Sequence, residues 1–288
     1  MTSVALPDYL PTDLSQALAG VERHETCLNG STTVWHAWGE AQRPTVVLLH
    51  GGSGSWTHWV RNIAFLRDAG CRVLVPDLPG FGDSDVPEGC TDTNHLPPYL
   101  HHGLAQLKPQ GPVSLVGFSF GGMTATLWLD AYPQDAQQLV LVGAPGMGLA
   151  QPERVALKGW RHLTSPEAQE AVHRHNLLAL MLQHESSLDA LALALHSANV
   201  QRDRMQRRRL SSTDIVAQTL PRLQARVSAI YGENDALYGW RLPEVQAAMA
   251  SLAPHWDGWQ TVPGVGHWVP YEASGAFNAA LLAQLATA

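Results

Sequence analysis

The chain alternates short apolar runs with longer segments in which apolar residues recur at helical spacing. Four uninterrupted runs of aliphatic and β-branched residues stand out, TVVLLHG, CRVLVPD, VSLVGF and QLVLVGA. Strands with this composition are buried on both faces, which is typical of a parallel sheet covered by crossover helices. The segments WVRNIAFLRDAG and GGMTATLWLDAYP lie between them and have helical periodicity. The pattern therefore predicts an α/β domain.

Ahead of these runs lie two more strand-like segments, ETCLNG and STTVWHAWGE. They meet at Asn29-Gly30, a dipeptide that tolerates the positive φ angles of a tight hairpin turn. We expect an antiparallel hairpin at one edge of the sheet.

The rhythm changes after Ala144. Residues 146–212, which we call the cap segment, contain no strand-like run. Ser165 and Pro166 predict the start of one helix, and a second is expected from Ser187. Strands and helices then alternate again through RVSAIYGEND and GWQTVPG to a closing helix. We predict one core domain, residues 1–145 and 213–288, interrupted by a helical insertion.

Composition narrows the choice of partners. The 288 residues are 45% apolar and 15% charged, enough for one sizeable core, and the net charge is −7. An acidic balance argues against a nucleic-acid binder or a protein held on anionic lipid, and no run approaches the roughly 18 apolar residues of a membrane span. Three cysteines without C-x-x-C spacing, and no basic leader in the first 22 residues, predict a cytoplasmic protein.

The candidate nucleophile is Ser119, in Gly117-Phe-Ser-Phe-Gly121. The pentapeptide follows the strand-like run VSLV and precedes a helical segment. A serine on such a strand-to-helix turn has its hydroxyl exposed, and the flanking glycines prevent clashes in the sharp turn.

A serine hydroxyl needs a base, and the base needs a carboxylate that orients it. Among 14 histidines, His267 is the best candidate, because it lies in a glycine-lined loop after the last predicted strand. Asp235 follows the preceding strand and is the expected acid. Glu233 is the alternative candidate for this acid, although it lies too close to the end of the strand to reach the histidine loop easily.

The order Ser119, Asp235, His267 is that of the α/β-hydrolases. The chain resembles this superfamily over nearly its whole length, through His50-Gly51-Gly52 after the first buried strand, the segment DLPGFGDS from Asp77, and the Ser119 turn. The resemblance implies a mostly parallel eight-stranded sheet flanked by helices, with a helical cap inserted after the sixth strand. It also implies a serine hydrolase that forms an acyl-enzyme without a cofactor.

Such chemistry requires donors for the negative charge that develops on the substrate oxygen. The backbone N–H of Phe120, which follows the nucleophile at a helix N-terminus, is the first expected donor. Similarity to the family places the second at Gly52, with Ser53 as a competing donor.

A narrower similarity is to the meta-cleavage product hydrolases, which split carbon–carbon bonds in ring-opened aromatic dienoates. It rests on the segment GAPGMGL from Gly143 and on Gly266-His267-Trp268. Because Ser53-Gly54 stands where those enzymes commonly have Gly-Pro, hydrolysis of a small carboxylic ester is the main prediction. Carbon–carbon cleavage is the alternative, and a ligand-binding scaffold without catalysis is the alternative of another class.

The charge is unevenly distributed. Residues 150–226 hold 11 Lys and Arg against 7 Asp and Glu, so the insertion is positive while the remainder is negative. The basic cluster at 202–209 is either a solvated helix face or salt-bridged to the core, or one arginine clamps a substrate carboxylate. Arg208 is our candidate, and Ser53, Trp160 and Trp268 are further candidate contacts for a small, partly apolar and anionic substrate. No metal motif is present. A homodimer is one option for assembly.

Overall fold

The computed structural model describes residues 6–149, 155–205 and 207–286. Its framework is one sheet of eight strands. The strands are β1 (Glu22–Leu28), β2 (Ser31–Trp38), β3 (Thr45–Leu49), β4 (Arg72–Pro76), β5 (Val113–Phe118), β6 (Gln138–Val142), β7 (Arg226–Gly232) and β8 (Trp256–Val262). They lie in the order β1-β2-β4-β3-β5-β6-β7-β8.

The pairing confirms the predicted, mostly parallel sheet. Strands β3 to β8 pair with one another in parallel, whereas β2 is antiparallel to both β1 and β4. The edge hairpin is also confirmed, because Asn29 and Gly30 turn the chain with φ angles of 51° and 76°. The carboxyl ends of six parallel strands, β3 to β8, therefore open onto one edge of the sheet, where ligands bind in open α/β folds.

Ten α-helices accompany the sheet in the part of the chain that the structure describes. They are α1 (Thr12–Ala17), α2 (Ile63–Asp68), α3 (Pro97–Leu107), α4 (Phe120–Ala131), α5 (Pro166–Asn176), α6 (Ala190–Gln201), α7 (Ile215–Thr219), α8 (Leu242–Leu252), α9 (Val269–Glu272) and α10 (Ser274–Leu285). Helix α2 is shorter than the segment WVRNIAFLRDAG predicts, because the 3₁₀ turn Trp56–Trp59 ends at the first residue of that segment and residues 60–62 form turns before the helix begins at Ile63.

The strands have apolar cores on both faces. In β3, Val47 and Leu49 pack on the side that carries α3, α4 and α8, whereas Val46 and Leu48 pack on the side of α2 and α10. Neighbouring side chains of a strand point to opposite faces, so a strand covered twice must be apolar throughout. This double burial explains the uninterrupted apolar runs.

Within the described residues between β6 and β7 there are helices and no strand. The predicted start of α5 is confirmed, because the Ser165 hydroxyl accepts a hydrogen bond from the Ala168 N–H. The predicted start of α6 at Ser187 is wrong. The helix begins at Ala190, where the Asp189 carboxylate accepts the Ala192 N–H at 2.7 Å.

Helix α6 rests on the loop that follows β3. The Asn199 side-chain oxygen accepts hydrogen bonds from the Ser55 hydroxyl at 2.7 Å and from the Thr57 hydroxyl at 3.3 Å. The cap segment is thus tied by side-chain hydrogen bonds to the glycine-rich loop of the core.

The two edges of the sheet are β1 and β8. Strand β1 exposes Arg23 and Glu25, and β8 exposes Asp257 and carries a register shift against Val227 and Ser228 of β7. Among the helices of the described residues, none is long and apolar enough to cross a bilayer.

Candidate active site

Ser119 occupies a strained turn between β5 and α4. Its φ and ψ angles are 51° and −117°, a region that residues other than glycine rarely adopt. The backbone N–H of Ser119 donates to the Val142 carbonyl at the end of β6, at 2.7 Å. The sharp turn therefore stands at the carboxyl edge of the sheet, as the motif predicts.

The flanking glycines are required by contact distances. A Cβ on Gly121 would lie 2.2 Å from the Leu49 carbonyl oxygen, and one on Gly117 would lie 2.5 Å from the Gly121 carbonyl oxygen. No side chain fits at either position, because real Cβ atoms essentially never come so close to backbone. The Gly-x-Ser-x-Gly spacing is thus explained by helix-to-strand packing.

His267 and Asp235 form a buried pair. The Nδ1 atom of His267 lies 2.8 Å from Oδ2 of Asp235, and the two residues are 1% and 0% exposed. With Nδ1–H donating to the carboxylate, the neutral imidazole keeps a lone pair on Nε2 to accept a proton. Asp235 is fixed in turn, because its Oδ1 accepts the Leu237 N–H at 2.9 Å.

The pair lies beside the nucleophile turn. The ring of Phe118, the residue before Ser119, is 5.0 Å from the His267 ring between centroids. A Cβ on Gly143, the residue after β6, would lie 3.0 Å from both Asp235 Oδ2 and His267 Nδ1. The loops after β5, β7 and β8 thus bring the three residues of the predicted triad to one edge.

Glu233, the rival acid, faces the other way. Its side chain is exposed, and Oε2 accepts the Gly264 N–H at 2.7 Å. It stabilises the beginning of the histidine loop and makes no hydrogen bond to the imidazole among the described residues.

The two candidate oxyanion donors are neighbours. A Cβ on Gly52 would lie 3.7 Å from Cβ of Phe120, the first residue of α4. In the described part of the chain, neither backbone N–H has a hydrogen-bond partner. Ser53, the competing donor, has a φ of 52° and directs its hydroxyl to Asp203 at 2.5 Å.

Two buried histidines support the glycine-rich loop after β3, which carries Gly52. His50 accepts the Leu78 N–H at Nε2 and contacts the Gly51 carbonyl through Nδ1, at 2.9 and 2.8 Å. His58 accepts the Gly51 N–H at Nδ1, at 3.2 Å. Burial lowers the pKa of His50 and lowers the pKa of His58 well below its ordinary value. Both rings are thus neutral hydrogen-bonding groups that shape the loop.

Arg208 lies directly over the glycine-rich loop that follows β3. Its Nη2 atom would be 3.6 Å from a Cβ on Gly52 and donates to the Ser53 hydroxyl at 3.2 Å. Its Nη1 atom lies 3.0 Å from both carboxylate oxygens of Asp203. The guanidinium also packs on the Phe81 and Phe120 rings, 5.2 and 5.5 Å from their centroids. Of the predicted substrate contacts, Arg208 and Ser53 come together at the site.

Two neighbouring arginines, Arg202 and Arg204, bind residues of the loop after β4. Arg202 pairs with Asp83, and Arg204 donates to the Phe81 and Gly82 carbonyls at 3.2 and 3.0 Å. Attachment to the core therefore describes these two arginines, whereas the Arg208 guanidinium lies over the glycine-rich loop that follows β3.

The two candidate tryptophans differ. Trp268 is buried beside the site, with its ring 5.0 Å from that of His58 and its Nε1 donating to the His58 carbonyl at 3.2 Å. Trp160 packs against His173, with centroids 5.2 Å apart. No contact joins Trp160 to the predicted triad within the described residues.

Three residues near the site were missed in the sequence. His58 lies in the loop after β3, Asp203 interrupts the arginine cluster, and Glu272 follows His267 by five positions. The isolated acid among arginines was a usable signal for an internal ion pair. The other two become visible only through contacts between distant segments. Over the described residues, no group of three or more metal-ligating side chains is present.

Comparisons with known proteins agree with this architecture. A family model described as the alpha/beta hydrolase fold matches residues 44–273. A 2-hydroxy-6-oxo-6-phenylhexa-2,4-dienoate hydrolase of Burkholderia cepacia is 27% identical, over 82% of this chain and 86% of its own. A 2-hydroxy-6-oxononadienedioate/2-hydroxy-6-oxononatrienedioate hydrolase of Comamonas testosteroni is 28% identical, over 81% of this chain and 84% of its own.

Among solved structures, an esterase from a Rhodococcus species superposes with a TM-score of 0.72. The match is 21% identical in sequence and covers 91% of this chain and 97% of the esterase.

Proposed function

We propose that this chain, a hydrolase belonging to the α/β-hydrolase fold family, uses Ser119, His267 and Asp235 to hydrolyse a small carboxylic ester through an acyl-enzyme. The observation that carries the proposal is the strained Ser119 turn beside a buried His267–Asp235 hydrogen bond of 2.8 Å. A strained strand-to-helix turn of this kind exposes the hydroxyl of a nucleophilic serine.

In the acylation step, Oγ of Ser119 attacks the acyl carbon while its proton passes to Nε2 of His267. The Asp235 carboxylate stabilises the imidazolium through the Nδ1–H bond. The imidazolium then protonates the departing alkoxide, the bond from the acyl carbon to the alcohol oxygen breaks, and the alcohol leaves. A water molecule repeats the sequence on the acyl-enzyme and releases the acid.

The negative charge on the carbonyl oxygen is to be held by the N–H groups of Gly52 and Phe120. Each such donor is worth about 3 kcal/mol in the transition state. Their adjacency and their lack of partners in the described structure support this role.

Replacement of the nucleophile tests the mechanism. Ser119→Ala should abolish ester turnover and labelling by a fluorophosphonate probe, while the circular-dichroism spectrum is retained. A variant that turns over esters or still takes the label would refute the assignment. A wild-type protein that takes no label would favour the non-catalytic scaffold.

Carbon–carbon cleavage is the second candidate, favoured by the similarity of the chain to the dienoate hydrolases of Burkholderia cepacia and Comamonas testosteroni. We propose to compare short and long p-nitrophenyl esters with a ring-cleavage dienoate under one set of conditions. A ratio of kcat/KM above about a thousandfold, some 4 kcal/mol of transition-state preference, separates the two activities.

We propose that Arg208 contacts a polar or acidic part of the acyl group, because its guanidinium borders Gly52. Arg208→Ala should raise KM about tenfold for esters with an acidic acyl group and little for neutral ones. Arg202→Ala, which removes an arginine paired with Asp83 elsewhere in the cluster, is the matched control. Equal effects on acidic and neutral esters would contradict a substrate contact.

Four broader proposals concern the cap, the tryptophans, the location and the assembly of the protein. Residues 146–212 form the cap over a core of residues 1–145 and 213–288, Trp268 lines the substrate pocket, and Trp160 is the more remote candidate. The free thiols of Cys27, Cys71 and Cys90 support a cytoplasmic location. Assembly as a homodimer can be tested by sedimentation.

A further inference from the structure

Glu272 joins the cap segment to the loop that carries His267. Its Oε1 atom accepts the backbone N–H groups of Gln183 and His184, at 2.9 and 2.8 Å. Its Oε2 atom accepts the N–H of Gly266 at 2.8 Å. One carboxylate thus binds two segments separated by about 80 residues of chain, and ionised acceptors make the stronger class of hydrogen bond.

Two further contacts join the cap segment to the His267 loop. The Trp268 N–H donates to the Met181 carbonyl at 2.7 Å, and Nε2 of His184 bonds the Gly264 carbonyl at 2.7 Å. The residues before and after His267 are therefore both attached to residues 181–184 of the cap segment.

The cap segment and the His267 loop approach each other so closely that position 266 requires glycine. A Cβ on Gly266 would lie 2.7 Å from the Gln183 nitrogen and 3.0 Å from Oε2 of Glu272. The φ angle at Gly266 is outside the left-handed region, so closeness to the cap segment and not backbone strain excludes a side chain.

We propose that Glu272 is a positioning residue that holds the cap segment against the His267 loop. The alignment of His267 as the base then depends on contact between this loop and residues 181–184 of the cap segment. The inference rests on the proposed function, because it takes His267 as the base. The reach from Glu272 to His267 is short, since α9 places Glu272 one helical turn beyond Trp268. A base displaced by about 1 Å loses up to a hundredfold in rate.

Glu272→Gln is the first test. Its amide NH₂ cannot accept, so the variant must give up either the Gly266 bond, made to Oε2, or the His184 bond, made to Oε1. The Gln183 N–H, which lies 2.9 and 3.0 Å from the two oxygens, loses one of its two acceptors in either case. Gly266→Ala is the second, because its methyl group separates the same surfaces while the carboxylate remains. We expect each variant to lower kcat per titrated active site about ten- to hundredfold on a short p-nitrophenyl ester, with KM nearly unchanged.

Matched controls are available in the same part of the chain. Glu233→Gln is the same substitution at the start of the same loop, where the carboxylate accepts the Gly264 N–H and the amide oxygen of glutamine can still accept it. Gly275→Ala adds a methyl group where nothing lies within 4 Å. Both should keep kcat within about twofold of wild type.

Counting active sites with a fluorophosphonate separates positioning from folding. A merely structural role would lower the fraction of protein that titrates and leave kcat per site constant, and that result in both variants would overturn the proposal. Hydrogen exchange at residues 181–184 should accelerate in both variants, whereas unchanged protection would also overturn it. Failure of the wild type to titrate at Ser119 would instead refute the proposed function.

Discussion

The strain at Ser119 can be measured as stability. Its φ of 51° and ψ of −117° lie where a Cβ atom is unfavourable, at a cost of about 1–3 kcal/mol. Ser119→Ala keeps the Cβ and the strain, while Ser119→Gly removes both. Glycine raises the entropy of the unfolded chain, which costs about 0.5–1 kcal/mol. We therefore expect Ser119→Gly to be more stable than Ser119→Ala by about 1 kcal/mol.

The alanine variant is the appropriate reference. Within the described residues, the Ser119 hydroxyl makes no hydrogen bond, so its removal alone should change stability by less than about 0.5 kcal/mol. The assay is equilibrium unfolding in urea at pH 7, with the slope checked for equality between variants. A glycine variant equal to or less stable than the alanine variant would refute the reasoning.

Two other sites test the expected sign of the stability change on substitution by glycine. Lys108 ends α3 in the left-handed region, with φ and ψ of 49° and 62°, so Lys108→Gly should also stabilise, by about 0.5–1 kcal/mol. Ser251 lies exposed inside helix α8, where Ser251→Gly should destabilise by about 0.5 kcal/mol.

Asp235→Asn should lower kcat about 10⁴-fold with KM nearly constant, because the amide favours the wrong tautomer of His267. Glu233→Gln should leave kcat intact. A loss below about tenfold in Asp235→Asn would contradict the assignment of Asp235 as the acid. His196 provides a pH dependence, since burial and then the neighbouring His173 lower its pKa from 6.5 to about 4. From pH 6.5 down to 4 the unfolded chain takes up a proton that the folded protein refuses, so up to about 3 kcal/mol of stability present at pH 7 is lost. Urea unfolding at pH 7 and pH 5 should show a smaller loss for His196→Gln than for wild type or for the exposed control His255→Gln, and parallel losses would contradict this account.

Local signals predicted the sheet and the candidate nucleophile. The strand, turn and helix around Ser119 are encoded within about 20 consecutive residues, and the apolar runs reflect burial on both faces of each strand. The choice of Asp235 over Glu233 followed from distance along the loop, and the hydrogen bond to His267 agrees with it.

Contacts between distant segments were not accessible to periodicity. The Ser53–Asp203 bond spans 150 positions, and the Glu272–Gln183 bond spans 89. The start of α6 was missed for the same reason, because Ser187 and Asp189 are both suitable caps. Asp189 is held in place by Arg61, at 2.7 Å, and by the Tyr271 hydroxyl, at 2.6 Å.

The edges of the sheet bear on how copies of this chain can associate. An unprotected edge strand recruits another strand, but charged side chains and irregular register suppress such pairing. On β1, Arg23 and Glu25 pair with each other in solvent, and on β8 Asp257 pairs with Arg226 near the register shift. Continuous sheet formation between two molecules is therefore disfavoured at both ends. Association of two copies through surfaces other than these edges would leave every strand pairing within each sheet intact.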